Sequence, residues 1–183
     1  MPIEIREARP DEHAILGEIV VAAYRDIGAL EGDEEYVDEL RDVAARARTA
    51  VVLAALDAAD GRPIGCATYV PGIGSSLAEG LGPGEASIRM LAVDPTAAGR
   101  GAGTALAAAC VERARADGFE RVVLHSLPIM SGAQRIYARL GFRHVPERDW
   151  EPVPGIFLLC FVLDLTDLQR RSPGGPPPGG RPR

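Results

Sequence analysis

Ser87-Ile88-Arg89-Met90-Leu91-Ala92-Val93-Asp94-Pro95-Thr96-Ala97-Ala98-Gly99-Arg100-Gly101-Ala102-Gly103-Thr104 is the stretch on which the reading turns. An apolar strand runs to Val93 and is stopped by Asp94-Pro95. Glycines at 99, 101 and 103 then form a turn that opens a helix to about Ala116, with Leu106, Ala109, Cys110 and Ala114 on one face. Glycine permits positive φ and close approach of a ligand to the backbone. The N–H groups of the first helical turn have no partner inside the helix, and the helix dipole stands behind them. Strand, glycine turn and helix start together make a site for phosphate oxygens, built from backbone donors. The Rossmann spacing Gly-x-Gly-x-x-Gly fails here: counted from Gly99 the third position is Thr104, and from Gly101 it is Leu106.

Outward from that stretch the chain alternates elements. Ile3 to Glu7 reads as an edge strand, Pro10 to about Ile27 as a helix, and Asp33 to Arg48 as a second, charged helix. Ala50 to Ala58 and Ile64 to Val70 read as a hairpin about Asp60-Gly61. Pro71 to Gly84 holds five Gly and two Pro and must be a loop. After the central strand and helix come a strand Arg121 to Leu127 and a helix Ser131 to Leu140 closed by Gly141. Ser131-x-x-Gln134 has the spacing of a capping box. Strands Phe142 to Val145 and Ile156 to Leu165 finish the domain, with Arg148 to Pro152 turn-like between them. The expected class is α+β: a central mixed, mostly antiparallel sheet flanked by helices, with one parallel pair made by the crossover from Ala86 to Leu127. Residues 1–169 are expected to form a single domain. Residues 170–183, of Pro, Gly and Arg, read as a disordered tail.

Composition removes whole classes of function. The 183 residues carry 20 basic and 26 acidic side chains, a net charge of −6, which disfavours nucleic acid and anionic lipid as partners. Every basic residue is Arg, so a Walker-type phosphate loop and a Schiff-base lysine are both excluded. Cys66, Cys110 and Cys160 stand apart in apolar stretches, and His13, His125 and His144 show no ligand spacing; no metal site is expected. Free thiols and no basic, apolar leader suggest a cytoplasmic protein. The apolar run Ile156 to Leu163 is far short of the roughly 20 residues of a spanning helix.

Val93-x-Pro95 followed by Gly99-Arg100-Gly101-Ala102-Gly103 resembles the acetyl-CoA pyrophosphate loop of the GNAT superfamily of N-acetyltransferases, whose pattern is Arg/Gln-x-x-Gly-x-Gly/Ala. Here the Arg/Gln position is Ala98, which removes a side chain and leaves the backbone cradle. A second stretch, Ser131 to Phe142, is similar to the family's A-x-x-x-Y-x-x-x-G-F segment, with Ala133, Tyr137, Gly141 and Phe142 in place and Met130 where the family often has Asn. The resemblance implies a domain over about residues 3–165 that binds acetyl-CoA as co-substrate. Gly99, Arg100, Gly101, Ala102, Gly103 and Thr104 would hold the pyrophosphate. Leu91, Ala92 and Val93 would pair with the pantetheine arm on a strand that splays from its neighbour, and Ala133 and Tyr137 would border the ligand. It further implies direct transfer to a primary amine of a small molecule or peptide, and a homodimer would fit the family.

Tyr137 reads either as one more residue of an apolar helix face or as the proton donor to the departing thiolate, since a phenol's pKa of about 10 lies above a thiol's of about 8.5. The family often has a Glu at the position of Ser87; Glu85 lies two residues earlier on the same strand face and is the first candidate base, directly or through water. Its bland reading is a solvated carboxylate. Glu79 and His125 are weaker choices. Two rivals stand: an acyl-CoA-binding sensor without catalysis on the same fold, and a dinucleotide binder with a chance glycine turn.

Overall fold

The computed structural model describes residues 2–30 and 34–166. β1 (Ile3–Glu7) leads through a 3-10 turn at Pro10–Glu12 into α1 (His13–Asp26), α2 (Glu34–Arg41) and α3 (Val43–Arg46). Then come β2 (Val51–Asp57), β3 (Pro63–Val70), β4 (Glu85–Val93), α4 (Ala102–Ala116), β5 (Arg121–Ser126) and α5 (Ser131–Arg139). β6 (Arg143–His144), β7 (Trp150–Val153) and β8 (Ile156–Asp164) complete it. The sheet runs β1-β2-β3-β4-β5-β8-β6, with β7 beside β8. β4 and β5 form its parallel pair, and the other pairs are antiparallel. The expected mixed sheet with one crossover is what forms.

Apolar residues cover both faces of the sheet. On one face Leu106, Cys110 and Ala114 of α4 and Tyr137 of α5 pack on Ile64, Ala67, Tyr69, Ile88, Val122 and Leu124. On the other, Leu16 and Val20 of α1, Leu40 of α2 and Val43 of α3 pack on Val52, Ala54, Cys66, Met90 and Ala92. Each fully buried Leu, Ile or Val among them contributes about 1.5–3 kcal/mol of transfer free energy. All three cysteines are buried and free.

A bulge in β4 decides which face its later residues meet. Cys66 opposes Ala92 and Thr68 opposes Arg89, so Met90 and Leu91 together face Ala67. Met90 takes φ 49°, the left-handed region, to absorb the extra residue. Ala86 and Ile88 lie on the α4 side before the bulge. Beyond it Leu91 and Val93 return to that side while Met90 and Ala92 face α1.

Three local readings are corrected. The helix expected from Asp33 to Arg48 breaks at Asp42, whose side chain accepts from Ala45 N–H at 2.8 Å and so starts α3 afresh. Asp33 itself lies outside the described residues. The capping box at Ser131 does not form: Met130 is the N-cap, and Gln134 donates instead to the carbonyl of Leu127 at 2.9 Å. The turn-like stretch around Trp150 is β7, a short irregular strand paired to β8 at Trp150–Leu158 and Val153–Ile156. Pro152 hides it in the sequence by removing a ladder donor. The tail 170–183 lies outside the described residues.

Candidate active site

α4 starts at the glycine turn. Gly101 is its N-cap with φ 93°, and Gly99 has φ 77°; an added Cβ at either would meet nothing within 4 Å. These two therefore serve conformation and access. Gly103 differs: a Cβ there would stand 3.0 Å from Ile136 Cδ1, 3.6 Å from Val93 and 3.7 Å from Leu91, so it lets α4 lie close to α5 and β4. The fifteen-residue α4 presents the N–H groups of Ala102, Gly103 and Thr104 at its open end, with Gly99 and Gly101 exposed in front of them. Arg100 turns away from that mouth to Asp57 at the end of β2, Nη2 to Oδ2 2.6 Å, and this ties the loop to the sheet. Among the causes that lower the Asp57 pKa, the Arg100 hydrogen bond is the largest.

The parallel pair at the sheet's centre is short. β4 and β5 are registered only at Glu85–Arg121, Ala86–Val122 and Ser87–Val123. Beyond Ser87, β4 runs on to Val93 without β5 beside it, and Leu91 and Val93 are half-buried at this opening. A strand edge with free backbone groups can take an extended ligand as an added strand. Its far end meets the glycine turn.

Tyr137 sits on the α5 side of the opening, 6% exposed, with its ring 5.8 Å from Phe142 and 6.2 Å from Phe161. Its hydroxyl forms no hydrogen bond to any described residue. Burial, with a smaller part from Cys110, raises its pKa, so the phenol stays protonated across the physiological range. Ala133 lies one turn before it, half-buried against the same core.

The opposite side of the opening carries His125, a weaker candidate base in the sequence, together with aromatic residues of α1, α2 and β7. Tyr24 of α1 and Tyr36 of α2 meet edge to face at 6.3 Å. His125 of β5 meets Trp150 of β7 edge to face at 6.0 Å. The charge of Arg89 bears on Tyr24, Tyr36 and His125, and Tyr24 also feels Tyr137 through the sheet. Burial first, then Arg89 and Arg148, lower the His125 pKa, so its imidazole is neutral at pH 7. Tyr24 and Tyr36 were legible only as members of apolar helix faces, because what groups them with Arg89 is tertiary.

Glu85 is 5% exposed and fully engaged. Arg148 donates to both its oxygens at 2.9 Å, and Gly82 N–H to Oε2 at 2.9 Å. Burial works to raise its pKa, but the hydrogen bonds and the charges of Arg148 and Arg121 outweigh it and hold the carboxyl below its ordinary value. The loop 71–84 is pinned by the same guanidinium chemistry: Arg89 donates to the Leu77 carbonyl at 3.0 Å and Arg148 to the Gly80 carbonyl at 2.9 Å. Glu79 is exposed at 60% and lies 3.5 Å from Arg89.

A helix N-terminus with open N–H groups stands beside a cleft between two parted parallel strands, with a buried phenol next to it. The family model described as Acetyltransferase (GNAT) family matches residues 14–142. The chain belongs to this family and is an acetyltransferase. Solved structures agree in fold. A GNAT-family acetyltransferase from Staphylococcus aureus Mu50 aligns with TM-score 0.71 and 14% identity, covering 90% of this chain and 99% of that one. A GCN5-related N-acetyltransferase from Kribbella flavida gives 0.65 and 25%, covering 89% and 98%. The yncA protein from Salmonella typhimurium, solved with its cofactor acetyl-CoA, gives 0.66 and 22%, covering 89% and 94%. No curated protein matches the chain. The family uses acetyl-CoA and acts on an amine acceptor. No helix among the described residues is long and apolar enough to cross a membrane.

Proposed function

We propose that the protein, through one domain over residues 1–169, transfers the acetyl group of acetyl-CoA directly to a primary amine of a small molecule or peptide. The carrying observation is the parting of β4 from β5 directly beside the glycine-turned start of α4. Backbone donors from Gly99 to Thr104 hold the pyrophosphate, and the β4 edge at Leu91, Ala92 and Val93 holds the pantetheine arm. A backbone N–H of that edge faces the thioester oxygen and stabilises charge as it develops.

In the transfer, the amine nitrogen bonds to the thioester carbon, the C–S bond breaks, and the sulfur leaves as thiolate. Tyr137 gives its proton to that sulfur, and the proton that the new amide nitrogen sheds restores the phenol. The ammonium of the incoming acceptor must first lose a proton. Among the acceptors of that proton near the cleft, His125 is neutral at pH 7 and half-buried, whereas Glu85 already spends its lone pairs on Arg148 and Gly82. His125 is the better base on this ground, and Glu85 acts directly only if Arg148 releases it. Three free, buried thiols support a reducing, cytoplasmic setting.

Calorimetry with acetyl-CoA and, as control, NADH tests the reading. Binding of acetyl-CoA alone, followed by thiol release with an amine panel, is expected. Preference for NADH, or no binding, would return the glycine turn to a mere connection. Binding with no turnover on any amine would leave the non-catalytic sensor.

A further inference from the structure

Past Ser87–Val123, the last registered pair of the parallel strands, β4 and β5 run on apart. Two residues further along each strand stand Arg89 and His125, one on either lip of the opening. Strand alternation turns both to one face of the sheet. Their neighbours Ile88 and Leu124 pack on the α4 side. Arg89 and His125 therefore point the other way, to the side where α1 and α2 bring Tyr24 and Tyr36. Leu91, where the edge assigned above to the pantetheine arm begins, follows two residues after Arg89. The lips are open to solvent: the Arg89 side chain is 30% exposed and His125 is half-buried.

Arg89 is only partly engaged. Nη1 donates to the Leu77 carbonyl at 3.0 Å and lies 3.5 Å from Glu79 Oε2. Glu79 is 60% exposed, so water screens that pair. Nε and Nη2 make no hydrogen bond to any described residue, and neither is sealed from solvent. The charge of Arg89 nonetheless reaches Tyr24, Tyr36 and His125. A cation on the lip of a cleft that must admit an ammonium repels a plain amine. That conflict disappears when the acceptor brings its own anion.

We propose that Arg89 holds a carboxylate of the acceptor, which is an amino acid or similar zwitterion with amine and carboxylate a few bonds apart. This rests on the acetyltransferase reading above. A carboxylate offers two oxygens to the planar N–H groups that Arg89 leaves free. Glu79 beside the guanidinium leaves it able to balance one negative charge and turns back a doubly charged phosphate. The same carboxylate faces the ammonium of the acceptor. Because Arg89 and His125 face each other across one opening, an amine within reach of His125 has its carboxylate close by. The edge-to-face pairs Tyr24–Tyr36 and His125–Trp150 supply apolar surface for the rest of the molecule.

The experiment compares leucine, methionine and phenylalanine with their amides, which keep the amine and lose the carboxylate. A carboxylate raises the pKa of a neighbouring amine more than an amide does, so amine basicity alone would favour the amide. Thiol release from acetyl-CoA is followed for the wild type, Arg89→Met and Arg89→Lys, with acetyl-CoA binding measured alongside by calorimetry. The wild type is expected to favour the acid over its amide by about tenfold or more in kcat/KM. Arg89→Met should lose that preference with acetyl-CoA affinity unchanged, and Arg89→Lys should keep part of it. Equal use of acids and amides by the wild type would overturn the proposal, as would a preference for the amides. An Arg89→Met variant slowed equally on both would do so too, since Arg89 would then only pin the loop 71–84. These outcomes leave acetyl-CoA binding intact, so they are distinct from failure of the underlying reading, in which acetyl-CoA itself does not bind. Should Arg89→Met fail to fold, the CoA-bound wild type decides: its Tm should rise with the acid and not with the amide, and equal rises would overturn the proposal.

Discussion

At the scale of single residues, burial sets what each titratable group near the cleft can contribute. Tyr137 is raised by burial, so it remains an acid where an exposed phenol would begin to ionise. Tyr137→Phe is expected to lower kcat by about 10²-fold with little change in the KM for acetyl-CoA. Because the hydroxyl bonds no described residue, the melting temperature should stay near wild type; a large drop in both would show a packing role instead. The wild-type pH–rate curve should show no loss assignable to this phenol below its ordinary value of 10.0. Glu85 and His125 separate in the same measurement. Glu85→Gln removes the charge that Arg148 faces and should cost about 1–3 kcal/mol of stability, below the roughly 3–5 kcal/mol of a fully buried broken pair because Arg148 is partly exposed. The acid limb of its pH–rate curve should be unchanged. In His125→Asn that limb, which lies below 6.5 in the wild type because the imidazole's pKa is lowered, should disappear along with most of the rate.

At the scale of elements, α1 and α2 form the wall that carries Tyr24 and Tyr36, and their spacing is set by one glycine. A Cβ on Gly17 would lie 2.2 Å from the carbonyl oxygen of Arg41 and 3.0 Å from its carbon, both backbone atoms that cannot swing aside. Gly17→Ala must part the two helices and is expected to destabilise by about 1–3 kcal/mol. It should also raise the acceptor's KM while acetyl-CoA binding holds, since the glycine turn belongs to other elements; thermal melts and steady-state kinetics check both. Nothing around Gly17 in the sequence announces this contact, because a close approach between helices is a property of their crossing. The glycine turn, by contrast, was legible, since Gly99 and Gly101 are demanded by local backbone geometry and the helix follows immediately. The break at Asp42 and the strand around Trp150 went unread for related reasons. Asp42 looked like one more charge on a solvated face until Ala45 N–H took its oxygen, and β7 exists because β8 is there to pair with it. The β4 bulge is likewise set by register with β3, and a run of apolar residues from Ile88 to Val93 carries no mark of it beyond Arg89.

At the scale of the whole molecule, three ion pairs hold carboxylates whose pKa they lower: Glu12 with Arg6, six residues away, and the sequence-distant pairs Asp57 with Arg100 and Glu85 with Arg148. All use Arg, the chain's sole basic residue besides its three His, and Arg6 and Arg148 grip their carboxylates with two nitrogens. The hydrogen bond from Arg6 outweighs burial at Glu12 and lowers its pKa from 4.5 to about 2. Asp57 and Glu85 shift in the same direction. For each, the unfolded chain takes up its proton at a higher pH than the folded one. Stability from these groups is therefore whole above the unfolded value and falls as pH drops through the folded value, which for Glu12 is the window from 4.5 to about 2. The buried thiols have the opposite sign. Burial pushes Cys66 and Cys110 from 9.0 up to about 12, so above 9.0 the unfolded chain ionises first and stability falls as pH rises. Thermal melts across pH should therefore trace a plateau between about 6.5 and 9.0, with a first loss below 6.5 as the unfolded chain protonates His125, a steeper one below 4.5, and a loss above 9.0. Glu12→Gln should lie below the wild type at pH 7, with the gap closing as pH falls through about 2 and vanishing below it, where both side chains are neutral. Curves that stay parallel through the acid limb would show that the Arg6–Glu12 pair is screened by solvent and that the acid transition belongs to Asp57 and Glu85.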